Sequence, residues 1–315
     1  MTTEEIRIDT GDGSLVGTFT TAPEPIAAAL LIPGSGRTDR DSDARLPFGQ
    51  VLRIGMTRQL AEALAAAGLD SLRYDKRGVG ASGGDFYRIG MDLRLTEARA
   101  ALEFLAARAP SLPLLVIGAS EGTYYAAQLA AADPRVAGIV LLSGSARRGE
   151  QVLAWQTAQI AARLPAATKF ILRLLRIDVV RAQRKNMARV LASSADVMRI
   201  QGTKLNARWL RDFAASDPAP ALARVTVPVL AITGGHDLQV PPDDVAAVGK
   251  LVQGPFEGHV LPDLSHLLRP DPDWTGPRGY KRAVRQPVSP DVLALITGWA
   301  ARHWGAQATT SLERQ

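Results

Sequence analysis

The stretch Leu112-Pro-Leu-Leu-Val-Ile117 runs straight into Gly118-Ala-Ser120-Glu-Gly122 and then into Thr123-Tyr-Tyr-Ala-Ala-Gln-Leu-Ala-Ala-Ala132. An apolar run, a glycine-flanked turn and a helix-forming run in that order predict a strand, a sharp turn and a helix. A serine at the apex of such a turn stands clear of the sheet with its hydroxyl exposed, and the two glycines permit the backbone strain and close approach this requires. Ser120 is therefore the candidate nucleophile. The same spacing recurs at Gly80-Ala-Ser82-Gly-Gly84, but Ser82 follows the polar run Asp75-Lys-Arg-Gly-Val-Gly80, with no apolar strand feeding it directly and no helix leaving it. That setting predicts a structural turn.

Outward from the Ser120 turn, strand and helix patterns alternate. Glu5 to Asp9 and Ser14 to Thr21 read as a hairpin about Gly11-Asp-Gly13. Ala27 to Ile32 reads as a buried strand ending in Pro33-Gly-Ser-Gly36, followed by a polar loop through Asp43 and a helix over Gly55 to Ala67 that Gly68 closes. A short strand over Asp70 to Tyr74 precedes a helix over Met91 to Ala109. Val136 to Leu142 and Val227 to Thr233 are further buried strands, and helices over Pro242 to Val252 and Asp291 to Trp304 flank a last strand near Gly258 to Leu261. This order predicts an α/β protein with a doubly wound, mostly parallel sheet covered on both faces. Residues 146–223 interrupt it with no convincing strand and much Ala, Leu, Arg and Gln. The expected organisation is a core of 1–145 and 224–305, a helical cap insertion of 146–223, and a disordered tail of 306–315. A cap inserted at the carboxyl end of a strand lies above the crevice where open α/β sheets bind ligands.

The chain of 315 residues, 46% hydrophobic, is long enough to bury a large core. It has no cysteine, which excludes disulfides, thiolate nucleophiles and cysteine-ligated metals, and four histidines leave little for any metal site. No cofactor is expected. Neither a leader-like apolar stretch at the start nor a run long enough to span a bilayer is present, so the expected location is the cytoplasm, with no transmembrane segment. The net charge of +6 is unevenly spread: from Ala146 to Ala215 there are 14 Lys/Arg against 4 Asp/Glu.

A serine hydroxyl needs an imidazole to take its proton and a carboxylate to hold that imidazole in the right tautomer. The acid candidate is Asp237, just past the strand ending at Thr233; Asp263 is a rival by nearness to the base. The base candidate is His266, in Leu261-Pro-Asp-Leu-Ser-His-Leu-Leu268. His236, His259 and His303 read as packing or surface residues. The oxyanion formed in acyl transfer needs backbone N–H donors; the candidates are Glu121, directly after the nucleophile, and Ser35, in the loop after Ile32. The Glu121 carboxylate is expected to face solvent or to favour the helix N-terminus through the dipole.

Together the Ser120 turn, the acid loop, the histidine loop and the Pro-Gly-Ser-Gly turn resemble the α/β-hydrolase superfamily over Ile6 to Trp304. The runs Leu31-Ile-Pro-Gly-Ser-Gly-Arg-Thr-Asp-Arg-Asp41 and Tyr74-Asp-Lys-Arg-Gly-Val-Gly-Ala-Ser82 resemble bacterial serine carboxylesterases and serine-aminopeptidase-like members. In those the first turn commonly begins His-Gly; here Pro33 takes the histidine's place. The resemblance implies the α/β-hydrolase fold and a carboxylesterase-type serine hydrolase acting on small-molecule esters of small or medium acyl groups. A nucleophilic serine disfavours the branches that form an alkyl-enzyme ester on aspartate.

Between Ala166 and Val190, Phe170, Ile171, Leu174, Leu175 and Val179 fall at helical spacing with Arg173, Arg176, Arg181, Arg184 and Lys185 beside them. Such a basic amphipathic segment admits anionic lipid or an acyl-CoA as partner, and its bland reading is a cap helix over the pocket with a solvated charged face. Nucleic acid is not expected, for want of a recognisable module or interleaved aromatics. The alternatives to an esterase are a thioesterase or lysophospholipase using the basic cap, an aminopeptidase or amidase, and a non-catalytic binding protein. Oligomeric state is not encoded in these patterns.

Overall fold

The computed structural model describes residues 1–46 and 49–305; the tail expectation for 306–315 lies outside them. Its centre is an eight-stranded sheet. In chain order the strands are β1 (Thr2–Asp9), β2 (Ser14–Thr21), β3 (Ala27–Ile32), β4 (Leu69–Tyr74), β5 (Leu114–Ala119) and β6 (Val136–Leu142). A hairpin outside the sheet, β7 (Val197–Ile200) and β8 (Thr203–Asn206), precedes the last two, β9 (Val229–Gly234) and β10 (Phe256–Leu261). The sheet order is β1-β2-β4-β3-β5-β6-β9-β10. From β4 to β10 every pairing is parallel, while β1 and β2 form an antiparallel edge.

The central strands are buried on both faces, which is why they read as continuous apolar runs rather than alternating ones. Alternate residues nonetheless serve different layers. In β3, Ala28, Leu30 and Ile32 join one core cluster with α2 (Met91–Arg108) and α3 (Gly122–Ala132). Ala27, Ala29 and Leu31 join the other, with α1 (Met56–Ala66) and the C-terminal helix Pro290–Ala300. The strand order reverses between β4-β3 and β3-β5, and there Ile32 pairs with Gly118. The chain leaves both strands at their carboxyl ends, so Pro33 to Ser35 and Ser120 emerge side by side at a topological switch point.

Between β6 and β9 lie α4 (Gly149–Ala162), α5 (Ala166–Leu174), α6 (Val179–Leu191), the β7–β8 hairpin and α7 (Ala207–Ala215). The hairpin corrects the expectation that this segment holds no strand. Its two-residue turn, Gln201-Gly202, has φ of 50° and 79°, the positive pair favoured in tight hairpins. Asn206 then caps α7 by accepting from Trp209 N at 2.8 Å, and its amide anchors the segment by donating to Phe86 O and Ile89 O, each at 2.7 Å.

Candidate active site

Ser120 sits at the end of β5 with φ 52°, a left-handed conformation that costs a non-glycine residue about 1–3 kcal/mol. The surroundings hold it there. Its N–H donates to Leu142 O at 2.8 Å, and its carbonyl accepts from Thr123 N at 3.0 Å and Thr123 Oγ1 at 2.7 Å. A Cβ on Gly118 would lie 2.3 Å from Gly122 O, and one on Gly122 would lie 2.4 Å from Ile32 O. The two glycines are therefore required by close backbone approach.

Asp237 and His266 come from the loops after β9 and β10. The loops are stitched together: Gly235 N donates to Leu261 O at 2.7 Å and His236 N to Leu264 O at 2.9 Å. Asp237 is buried, and its Oδ1 accepts from Gln239 N at 2.7 Å and Val240 N at 3.0 Å. Its Oδ2 lies 2.7 Å from His266 Nδ1. An ionised carboxylate only accepts, so this contact puts the imidazole proton on Nδ1 and leaves Nε2 as the acceptor. The His266 turn is itself pinned by buried Arg269, which donates to Gln286 O at 2.8 Å, Leu267 O at 3.1 Å and Ile54 O. Burial pulls that guanidinium down to about 10.

Ser120, His266, Gly34 and Ser35 line one cavity of about 190 Å³, completed by apolar side chains including Leu46, Ile54, Met56 and Leu142. A Cβ on Gly34 would lie 3.4 Å from Ser120 Cβ, so the loop after β3 runs directly beside the serine. A smaller adjoining cavity is walled by Glu121 and by Val152, Leu153, Trp209 and Phe213 of α4 and α7. The inserted segment thus forms part of the wall next to Ser120.

The remaining candidates are placed elsewhere. Asp263 is exposed. His236 donates from Nδ1 to Asp271 O at 2.8 Å and packs at a tilt against Trp274; His259 pairs with Glu257 at 2.8 Å; His303 packs on Trp299 and Trp304. Ser82 is buried, donating to Asp75 O and accepting from Val16 N. The Glu121 carboxylate corrects the solvent-facing half of its expectation: at the N-cap of α3, it is buried and accepts from Tyr125 OH. Burial, with Glu121 beside it, pushes that phenol well above its ordinary range.

One residue of the site was not singled out from the sequence. Lys76 is buried, and its Nζ donates to Gly34 O, to Gly36 O at 3.0 Å and to Thr38 Oγ1 at 3.1 Å. All three acceptors belong to the loop after β3. Its neighbour Asp75 accepts from Arg40 N at 2.7 Å and pairs with the Arg40 guanidinium at 3.1 Å. The two sequence runs that carried the family resemblance are therefore one bonded unit, with Lys76 bracing the loop that begins at Pro33. Burial pulls the ammonium down to about 8, opposed by Glu121, Glu97 and Asp39 and reinforced by Arg94.

The mostly parallel sheet flanked by helices, with a strained serine turn at its switch point, defines an α/β hydrolase. The model for the serine aminopeptidase, S33 family matches residues 49–273, and the chain belongs to that family. Among solved structures, the proline iminopeptidase of Mycobacterium smegmatis is 15% identical, with TM-score 0.63 over 96% of this chain and 100% of that one. Est1E from Butyrivibrio proteoclasticus with ferulic acid bound is 19% identical, with TM-score 0.58 over 89% of this chain and 96% of that one. At these identities the likeness is one of fold. Comparison with curated proteins finds no match.

Proposed function

We propose that the protein is a carboxylesterase-type serine hydrolase in which Ser120, His266 and Asp237 act as nucleophile, base and orienting acid. The observation that carries this reading is the buried Asp237–His266 contact of 2.7 Å beside a cavity that also holds the strained Ser120. In the proposed reaction His266 Nε2 takes the Ser120 proton as Oγ bonds to the ester carbonyl carbon. The oxyanion is met by the backbone N–H groups of Ser35 and Glu121. Glu121 precedes the first turn of α3, where N–H groups lack intrahelical acceptors. Collapse breaks the ester C–O bond, His266 returns its proton to the departing alcohol, and a water activated by His266 then releases the acid and frees Ser120.

An apolar cavity of roughly 150 Å³ accommodates benzene, so about 190 Å³ suits a short or medium acyl group or a single ring. The family's name and the iminopeptidase relative raise an amide substrate. Recognition of a substrate amine calls for a carboxylate facing the cavity, and among the described residues the larger cavity is lined by no Asp or Glu. Glu121 borders the smaller one, with its carboxylate bonded to Tyr125. This favours esters. Residues 146–223 act as the cap, and its basic outer face is where an anionic amphiphile, a lipid or an acyl-CoA, meets the protein.

The test is initial rates on p-nitrophenyl esters from acetate to palmitate, with palmitoyl-CoA alongside, for wild type and Ser120→Ala. The expected result is short-ester turnover that falls by about 10⁴ to 10⁶ in the variant. Equal rates in the two proteins on every substrate would overturn the reading, and a preference for palmitoyl-CoA would replace the ester assignment with a thioesterase.

A further inference from the structure

Helix α5 and the turn after it present an apolar surface that the protein leaves uncovered. Phe170 and Leu174 are 68% and 73% exposed, Ile171, Leu175 and Ile177 are also exposed, and no α5 residue is buried. Residues 170, 171, 174 and 175 share one helical face, since positions one, four and five apart fall within about 140° at 100° per residue. On the opposite side Leu172 is half-buried and lines a shallow groove with Ala161, Leu164 and Val180. The apolar face of Phe170, Ile171, Leu174 and Leu175 is thus the more exposed side of the helix. Solitary exposed apolar residues need no explanation, but several large ones side by side mark a contact surface.

Charge identifies the partner. Residues 163–189 contain eight Lys/Arg and one acid, Asp178, and Asp178 accepts from Arg181 N as the cap of α6. Among the described residues, Arg173, Arg176, Arg181, Arg184 and Lys185 make no ion pair with a carboxylate. A second copy docking on this face would bring one cation-rich segment against another. An anionic lipid bilayer satisfies both halves of the surface, with acyl chains for Phe170 and Leu174 and headgroups for the flanking cations.

We propose that α5, with its flanking basic residues, docks the protein on an anionic bilayer surface, with Phe170, Ile171, Leu174 and Leu175 entering the interface. This narrows the reading of the cap face given above from any anionic amphiphile to a membrane, and it holds whichever bond Ser120 cleaves.

The experiment is co-sedimentation of the full chain with sucrose-loaded phosphatidylcholine vesicles, with and without phosphatidylglycerol. Wild type, Phe170→Ser with Leu174→Ser, and Arg173→Gln with Arg176→Gln are compared. Wild type is expected to sediment with the phosphatidylglycerol vesicles and to be released by salt. The apolar pair should weaken binding at least about tenfold, and the arginine pair about fivefold per charge removed. Circular dichroism and a thermal melt of each variant check folding independently and stay at the wild-type values. The assay holds no substrate, so loss of docking and loss of the esterase reading are separate results. Wild type that ignores phosphatidylglycerol overturns the proposal. So does binding that survives both variants, or a dimer on size exclusion that Phe170→Ser with Leu174→Ser converts to monomer.

Discussion

Helices α3 and α5 have similar lengths, eleven and nine residues, and both are mostly apolar with at least one aromatic side chain, yet their surroundings are opposite. In α3 seven residues are buried, and its first turn presses so closely on β3 that only glycine fits at position 122. In α5 none is buried, and its apolar face looks outward. The difference is the sheet. A helix packed along a sheet loses its freedom and fixes the position of whatever precedes it, here Ser120. A helix in the insertion between β6 and β9 has no such neighbour on its apolar face, which stays exposed. One arrangement suits chemistry, which requires placement to about half an ångström; the other suits contact with a surface that has no fixed shape.

Substitutions can break this comparison on either side. The largest effect is expected at Asp237→Asn, which preserves shape but favours the wrong His266 tautomer; ester turnover should fall about 10⁴-fold with the fold intact by circular dichroism. Retention of more than about a tenth of wild-type kcat would remove Asp237 from the proposed triad.

A smaller effect is expected one step back from the serine. Lys76→Met removes the donors that hold the Gly34 to Thr38 loop, and kcat should drop about ten- to hundredfold, below the 10² to 10³ typical of deleting an oxyanion donor itself, while KM changes little. The pH profile separates positioning from general damage. Below about 8 the ammonium offers three protons to its three acceptors, and above it the neutral amine offers two. Wild-type kcat should therefore decline as pH rises through this range, and the variant should lack that limb. The stability linkage has the opposite sign. The folded-state value lies below the ordinary one, so the unfolded chain binds more protons between about 8 and the ordinary lysine value of 10.5, and this group's contribution to stability rises with pH across that window.

Stability gives a mild version of the same contrast. Leu30→Ala in fully buried β3 should cost about 2–5 kcal/mol in urea unfolding, against less than about 0.5 kcal/mol for exposed Leu174→Ala. Similar losses at both sites would mean that α5 packs against something in solution and would undo the contrast between the two helices.

The strands of the sheet were legible because the central ones are apolar runs bounded by turn residues and the edge pair flanks a Gly-Asp-Gly turn, and the expected boundaries fall within two or three residues of those observed. Ser120, Asp237 and His266 were selected because each follows a strand at the carboxyl edge of the sheet, and that property depends on chain order alone. Lys76 was not legible. In Asp-Lys-Arg-Gly it looks like a solvated cation, and only the approach of residues 34–38, some forty positions earlier, removes it from water. Burial of the Glu121 carboxylate was hidden as well, since local sequence shows that Tyr125 lies one turn along α3 but not that both side chains are buried. The β7–β8 hairpin carried a usable signal in Gln201-Gly202, but strands of four residues with interleaved Arg and Lys have too little alternation to stand out in a helix-rich segment. Exposure of α5 was equally hidden, because helical spacing shows that a face is apolar without showing what it meets.

The most direct test of the central claim is the intact mass of the protein after treatment with a fluorophosphonate, followed by peptide mapping. The reagent forms a stable phosphonyl ester only on a serine whose proton is taken by a neighbouring base. The account predicts one adduct per chain, mapped to Ser120, formed by wild type and absent from Ser120→Ala. An unmodified wild type, or an adduct that persists in Ser120→Ala, would contradict it.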